Sequence, residues 1–92
     1  MNLNSITSYQ SEKELPNDLL KALWNVKKGN WERAHEIAQS NEGNKDYDRI
    51  HAYLHRVEGD KFNAGWWYRN IGIPYPTISL DQEWEELVRK YS

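Results

Sequence analysis

Three histidines are the side chains of this sequence best suited to metal binding or proton transfer. His51 and His55 are four residues apart, so in a helix both imidazole rings project from the same side. Glu58 follows one turn later on the same strip, and His35 lies four residues after Trp31 in the preceding segment. Because histidines at i and i+4 are a common pair of zinc ligands, a three-ligand site forms if the helices carrying His35 and His51 face each other. The sequence therefore makes His35, His51 and His55 candidate ligands of a zinc-like divalent metal.

The same spacing also has a purely structural explanation. The zincin signature H-E-x-x-H places a glutamate directly after the first histidine, because a general base must reach the metal-bound water, and Ala52 occupies that position here. On a helical wheel His51 and Glu58 flank the apolar stripe, while His55 lies further toward solvent. Imidazoles at such a border commonly hydrogen-bond carbonyls or carboxylates. We therefore expect a protein without a cofactor, and a zinc-like metal is the alternative.

Acid–base catalysis by the same histidines is a second alternative. Glu58 or Asp60 would position His51 or His55, whose side chains titrate near neutral pH. No serine or threonine stands in a nucleophile-elbow context, no glycine-rich phosphate loop is present, and we expect the carboxylates on solvated helix faces. The sequence identifies no catalytic residue, so a small histidine-based or metal-dependent enzyme centred on His51 and His55 is the alternative to a non-enzymatic function.

The segment Trp66-Trp67-Tyr68-Arg69 is the richest recognition surface that the chain offers. Aromatic residues and arginine supply most hot spots of protein interfaces, because they bury a large area and arginine adds a planar set of donors. We expect at least two of the three rings in the core, and one of Trp66 and Trp67 exposed, because the two diverge by about 100°. Arg56 and Arg69 are candidates for a clamp on a ligand carboxylate, although Arg56 has an ordinary interpretation on a solvated face.

These features favour a non-enzymatic binding module with a groove on the third and fourth helices. The expected occupant is a protein or peptide, or a second copy of the chain in a homodimer. The predicted binding residues are His51, His55, Arg56, Glu58, Trp66, Trp67 and Arg69.

Length and composition limit the classes of protein to which this chain can belong. The 92 residues are enough for one domain, in which five Trp and six Tyr compensate for a hydrophobic fraction of only 38%. The net charge is −2, and the short basic cluster of Lys27, Lys28 and Arg33 is interleaved with acids, so nucleic acid is not expected as a partner. The chain has no Cys, no signal-like N-terminus and no membrane-spanning apolar run, which predicts a cytoplasmic protein without a membrane partner.

Hydrophobic periodicity predicts that helices position these residues. After an N-terminal arm over residues 1–15, Pro16 opens a helix that Gly29 stops, and Asn30 caps the second helix. The third runs over about 45–58, and Asp60 caps the fourth. Apolar groups point nearly all round that fourth helix, so we expect neighbours to surround it. A capping box of Ser79 and Gln82 begins a closing helix over 79–91, whose apolar stripe is Leu80, Trp84, Leu87, Val88 and Tyr91.

Two segments repeat at a shift of thirty residues: Ala22, Gly29-Asn30 and Ala34 align with Ala52, Gly59-Asp60 and Ala64. Three further features accompany this repeat: Phe62 and Tyr68 follow Gly59-Asp60, Trp67-Tyr68 precedes Arg69, and Pro76 lies seventeen residues after Gly59. With these features, residues 17–76 resemble tetratricopeptide and Sel1-like repeats. The resemblance implies an all-α domain of two tandem antiparallel helix-turn-helix repeats, 16–42 and 45–76, with 79–91 as the capping helix. The run HAYLHRVEGD…NAGWWYRNIG also resembles a group of small bacterial proteins, which implies no function.

Overall fold

Helices make up the regular structure of the chain. The computed structural model describes residues 3–92, and this part contains six α-helices, one short 3-10 helix and no β-strand. The predicted all-α class is therefore confirmed. Residues 1 and 2 of the predicted arm lie outside the described residues. The helices are α1 (Leu3–Ser8), the 3-10 helix (Glu12–Glu14), α2 (Asp18–Lys27), α3 (Trp31–Gln39), α4 (Lys45–Val57), α5 (Lys61–Asn70) and α6 (Leu80–Tyr91).

The two turns that the sequence aligns have the same conformation. Gly29 and Gly59 have φ of +78° and +84°, in the left-handed region that favours glycine. The backbone N–H groups of Asn30 and Asp60 donate to the carbonyl five residues back, at 2.8 and 3.0 Å, which is a Schellman motif. The side chains of the same two residues cap the next helix by accepting from the N–H three residues on. Each turn thus ends one helix and starts the next within three residues, 28–30 and 58–60.

Successive helices pack on one another, and α6 closes the core. α2 contacts α3, α3 contacts α4, and α4 contacts α5, while α6 lies against α2, α4 and α1. Ala34 and Ala64, which occupy the same position in the two aligned segments, are fully buried. Trp84 of α6 is buried, and its indole N–H donates to the carbonyl of Leu23 at 2.8 Å. The predicted capping box of Ser79 starts this helix. Within residues 3–92, no helix has the length and apolar character needed to cross a membrane.

The N-terminal segment belongs to the core. Ile6 and Leu15 are buried in the main hydrophobic cluster, and the Trp24 indole N–H donates to the Tyr9 carbonyl at 3.1 Å. The described part of the predicted arm therefore folds over the end of α2. Helix α2 itself begins at Asp18 rather than Pro16, because the side chain of the intervening asparagine caps it.

Helix α5 is covered on one side only. Trp67 and Tyr68 are buried, so two of the three rings of the aromatic segment lie in the core, as predicted. Phe62 is 85% exposed and Trp66 is 48% exposed. The expectation that neighbours surround this helix is wrong for the face of Phe62 and Trp66, because α5 packs on α4 alone among the described helices, and Trp67 and Tyr68 face that side.

Candidate metal centre

The three histidines come together where α3 packs on α4. His35 projects from α3, His51 and His55 project from α4, and the Nε2 atoms of His35 and His51 are 2.9 Å apart. The ring centroids are separated by 4.6 Å for His35–His51, 5.4 Å for His35–His55 and 4.8 Å for His51–His55. One ring nitrogen from each residue lies within 4.8 Å of the others. The faces of α3 and α4 that carry the three histidines therefore meet, as a three-histidine metal site requires.

Two tryptophans form walls around these rings. Trp67 stacks on His51 at a centroid distance of 4.0 Å, and Trp31 stacks on His35 at 4.8 Å. His51 and His55 are only 3% and 7% exposed. The expectation that His55 lies toward solvent is wrong, because α3 and the tilted ring of Trp31, 6.0 Å away, cover it. The stacking fixes the orientation of the imidazoles and makes their surroundings apolar.

Glu58 orients the third imidazole. Its Oε1 lies 2.6 Å from Nδ1 of His55. A carboxylate accepts, so Nδ1 of His55 is the donor of this pair and Nε2 is the nitrogen left for another partner. Metal-bound histidines are commonly held by such a carboxylate on the opposite ring nitrogen. His55, Glu58 and Asp60 also form a second group with ligand atoms within 4.8 Å, although the Asp60 carboxylate already caps α5.

The surroundings of His35 and His51 keep their imidazoles uncharged. Burial, together with smaller contributions from the neighbouring His35 and His55, lowers the pKa of His51 to about 4. Burial, with a smaller contribution from His55, also lowers the pKa of His35. Both side chains are therefore neutral at pH 7, which is the form that binds metal. Nδ1 of His51 is buried without a hydrogen-bond partner, so the cluster is not fully satisfied by the protein's own groups.

The donor set fits a first-row transition metal. Zinc binds imidazole nitrogen at about 2.0–2.1 Å in tetrahedral sites, which places two nitrogen ligands about 3.3 Å apart. The 2.9 Å between Nε2 of His35 and Nε2 of His51 is slightly shorter, so binding requires a small outward shift of one ring. His35 is only half-buried, and this gives its ring room to move.

The two arginines predicted to form a clamp do not act together. Nη1 of Arg56 lies 2.7 Å from Oε1 of Glu83, and its Nη2 donates to the carbonyl of Ile78. The interpretation of Arg56 as a solvated residue is wrong, because the C-terminal helix covers it. Arg69 is exposed on α5. The carboxylate that Arg56 binds therefore belongs to the protein itself.

Sequence reasoning missed this buried carboxylate. The Glu83 side chain is fully buried, accepts a 2.6 Å hydrogen bond from the Tyr68 hydroxyl and lies 2.7 Å from Nη1 of Arg49. The Arg49 nitrogen approaches without the direction of a hydrogen bond, so this contact is an ion pair only. Burial and the bond to Glu83 raise the pKa of Tyr68. The sequence does contain a signal for the burial of Glu83. Position 83 is three residues after Leu80 and four before Leu87, so it lies on the apolar stripe of α6.

Comparisons with models of protein families, with curated proteins and with solved structures find no match to this chain. The function therefore has to be inferred from the geometry of the site.

Proposed function

We propose that the protein binds a divalent transition metal ion of the zinc type through His35, His51 and His55. The observation that carries this proposal is the convergence of the three ring nitrogens within 4.8 Å of one another. The chain has three histidines in all, and every one of them belongs to this cluster. The Nε2 atoms of His35 and His51 lie at hydrogen-bond distance, and the ring of His55 adjoins them, so one ion can reach a nitrogen of all three.

The residues that contact the three imidazole rings also favour metal binding. Glu58 holds the His55 ring by its far nitrogen, and Trp67 and Trp31 hold the other two rings by stacking. Such outer contacts orient ligands and raise their basicity. The lowered pKa of His51 keeps it unprotonated down to mildly acidic pH.

The ligand chemistry selects the kind of metal. Neutral imidazole suits zinc, copper, nickel and cobalt, whereas magnesium and calcium prefer oxygen ligands. Three protein nitrogens leave one tetrahedral position for water or a carboxylate. Glu58 has 37% of its side chain exposed, so solvent reaches the cluster from its side.

Calorimetric titration of Zn²⁺ into chelator-treated protein tests the proposal. We expect binding of one equivalent in the wild type and a loss of at least about 10-fold in affinity for His35→Gln, which removes one of three ligands. Glu36→Gln is the matched control, because it changes the next residue of α3, which is exposed and outside the cluster. We expect Glu36→Gln to bind as the wild type does. Circular dichroism of each variant verifies that the fold is unchanged.

Two results would contradict the proposal. One is the absence of saturable Zn²⁺ binding to the wild type. The other is an equal affinity of wild type and His35→Gln, which would assign any bound zinc to a different place.

The exposed strip of α5 favours a second candidate function, interaction with a second copy of the chain. Phe62 and Trp66 are one helical turn apart and both exposed, and aromatic residues are typical of interface centres. His51, His55 and Trp67 are buried, so such a partner would contact Trp66 rather than them. Sedimentation equilibrium tests this candidate: we expect a dimer that Phe62→Ser converts to monomer. A monomeric wild type at high concentration would exclude it.

A further inference from the structure

A groove lies on the face of α5 that points away from the histidines. It encloses about 560 Å³ and is lined by Lys61, Gly65, Arg69, Ile73, Pro74 and Tyr75; we call it the Tyr75 groove. Three of these residues recur every four positions and so form one strip of α5. Trp67, which stacks on His51, is about 200° around the helix from Gly65. The groove and the histidine cluster are therefore separate sites.

The two sides of the groove differ in chemistry. Ile73, Pro74 and Tyr75 form an apolar wall, and Lys61 and Arg69 lie on the helix side. Neither cation forms an ion pair with any residue between 3 and 92. Arg56 is neutralised by Glu83, but five other exposed cations of the described residues also lack an ion pair. What distinguishes Lys61 and Arg69 is therefore the apolar wall beside them. Two unpaired cations beside an apolar wall are complementary to an organic anion.

Gly65 is the second observation that points to a ligand. Its φ is not in the left-handed region, so the backbone does not require glycine, and glycine inside a helix lowers stability relative to alanine. A Cβ placed on it would meet only Nη1 of Arg69, at 3.2 Å, which is the flexible end of a side chain. Neither the helix nor the packing therefore demands glycine here. Its effect is to let the Arg69 guanidinium lie flat against the helix, beside the groove.

The groove has room for more than a small ion. A second depression of about 290 Å³ adjoins it, shares Lys61 and Tyr75, and continues toward Gly59 and Leu80. Inorganic phosphate would leave the apolar wall uncovered. A ligand with a flat apolar body would cover Tyr75, which is 37% exposed.

We propose that the Tyr75 groove binds an organic anion with an aromatic body, such as a phosphate monoester or a carboxylate. The anionic group lies between Lys61 and Arg69, and the aromatic body lies against Pro74 and Tyr75. Gly65 is a positioning residue that keeps the Arg69 guanidinium in place. This site operates independently of metal binding.

Titration with phenyl phosphate, monitored by the amide signals of the full chain in NMR, tests the proposal. We expect saturable shifts at residues 61–75, and at least about 10-fold weaker binding for Arg69→Gln, because a charge-assisted contact is lost. Arg89→Gln is the matched control, since it removes an exposed arginine from α6 outside the groove. Inorganic phosphate, which lacks the aromatic body, should bind at least about 10-fold more weakly than phenyl phosphate. His35→Gln should bind phenyl phosphate like the wild type, and loss of binding in it would contradict the independence of the two sites.

Gly65→Ala separates the ligand function from stability. We expect a higher melting midpoint, because alanine favours the helix, together with weaker binding of phenyl phosphate, because the methyl group displaces the guanidinium. Unchanged binding in Gly65→Ala would overturn the role of Gly65. Equal affinities of the wild type and Arg69→Gln, or an equal loss in Arg89→Gln, would overturn the site itself.

Discussion

Removal of the buried carboxylate on α6 should strongly destabilise the domain. In Glu83→Ala the partners of that carboxylate remain: Arg49 and Arg56, with side chains only 15% and 14% exposed, and the buried hydroxyl of Tyr68. Two positive charges then stay in a poorly solvated place without a counterion. The cost of the substitution comes mainly from these uncompensated charges, because an unpaired buried charge loses solvation that nothing replaces.

The size of the effect follows from known cases. Breaking a buried ion pair by removing one partner costs about 3–5 kcal/mol. A domain of this length has a free energy of unfolding of about 5–14 kcal/mol in total. Glu83→Ala should therefore remove about a fifth or more of the stability and lower the melting midpoint by about 12–40 °C.

Urea unfolding measures the effect, because urea, unlike guanidinium chloride, does not screen ion pairs. Tryptophan fluorescence and circular dichroism should give coincident transitions for the wild type. Glu86→Ala is the control, since Glu86 is exposed on the same helix, and it should change the free energy of unfolding by less than about 0.5 kcal/mol. Glu83→Gln should fall between the two, because it keeps a partner for Tyr68 and loses the charge. A loss below about 1 kcal/mol for both Glu83 variants would refute the reasoning.

Three further predictions concern packing and protonation. Ala34→Leu should destabilise by about 1–3 kcal/mol through overpacking where α3 meets its neighbours, and an unchanged urea midpoint would contradict the close contact. Trp84→Ala should cost about 3–5 kcal/mol, measured in the same way, and a smaller loss than for Ala34→Leu would contradict the closing role of α6. In protein without metal, the unfolded state protonates His51 near pH 6.5, whereas the folded state does so only near pH 4. The unfolded state thus takes up more protons in this window, so stability is full above pH 6.5 and falls toward pH 4. Urea midpoints at pH 7.5, 6.5 and 5.5 should decrease in that order, and equal midpoints would show that His51 titrates normally.

Local signals were enough to predict most of the helices. The glycines at 29 and 59 end α2 and α4 because only a residue without a side chain adopts the required φ cheaply. Ser79 begins α6 because its hydroxyl accepts from the backbone N–H of Gln82, at 3.1 Å. Each of these signals acts within one turn of chain, so the sequence alone exposes them. The resemblance to tetratricopeptide repeats concerns longer-range packing and stays a prediction.

The features that were missed depend on contacts between distant parts of the chain. Leu3–Ser8 is too short to have a clear period, and it is placed by Ile6 packing into the core. The side chain of His55 is buried because Trp31 comes from another helix to cover it. Glu83 is accommodated in the core only because Arg49 and Arg56 of α4 reach it. Helical periodicity describes one helix at a time and carries no information about such partners.

The histidine site was predictable from the sequence only in part. The i, i+4 spacing of His51 and His55 was visible, and so was the position of His35 beside the stripe of its own helix. Whether the rings converge depends on how α3 rotates against α4, which the packing between the two helices determines. The sequence therefore supplied the ligands, and only the structure supplied the distances between them.

Titration of metal-free protein with Co²⁺, followed by visible absorption, tests the central claim most directly. Cobalt replaces zinc in nitrogen sites, and its absorption is strong when the ion is tetrahedral and weak when it is the hydrated octahedral ion. We predict a strong visible band that saturates at one equivalent of Co²⁺, disappears on addition of Zn²⁺, and is missing in His35→Gln and present in Glu36→Gln. A spectrum that stays that of hydrated Co²⁺ throughout the titration would contradict the account.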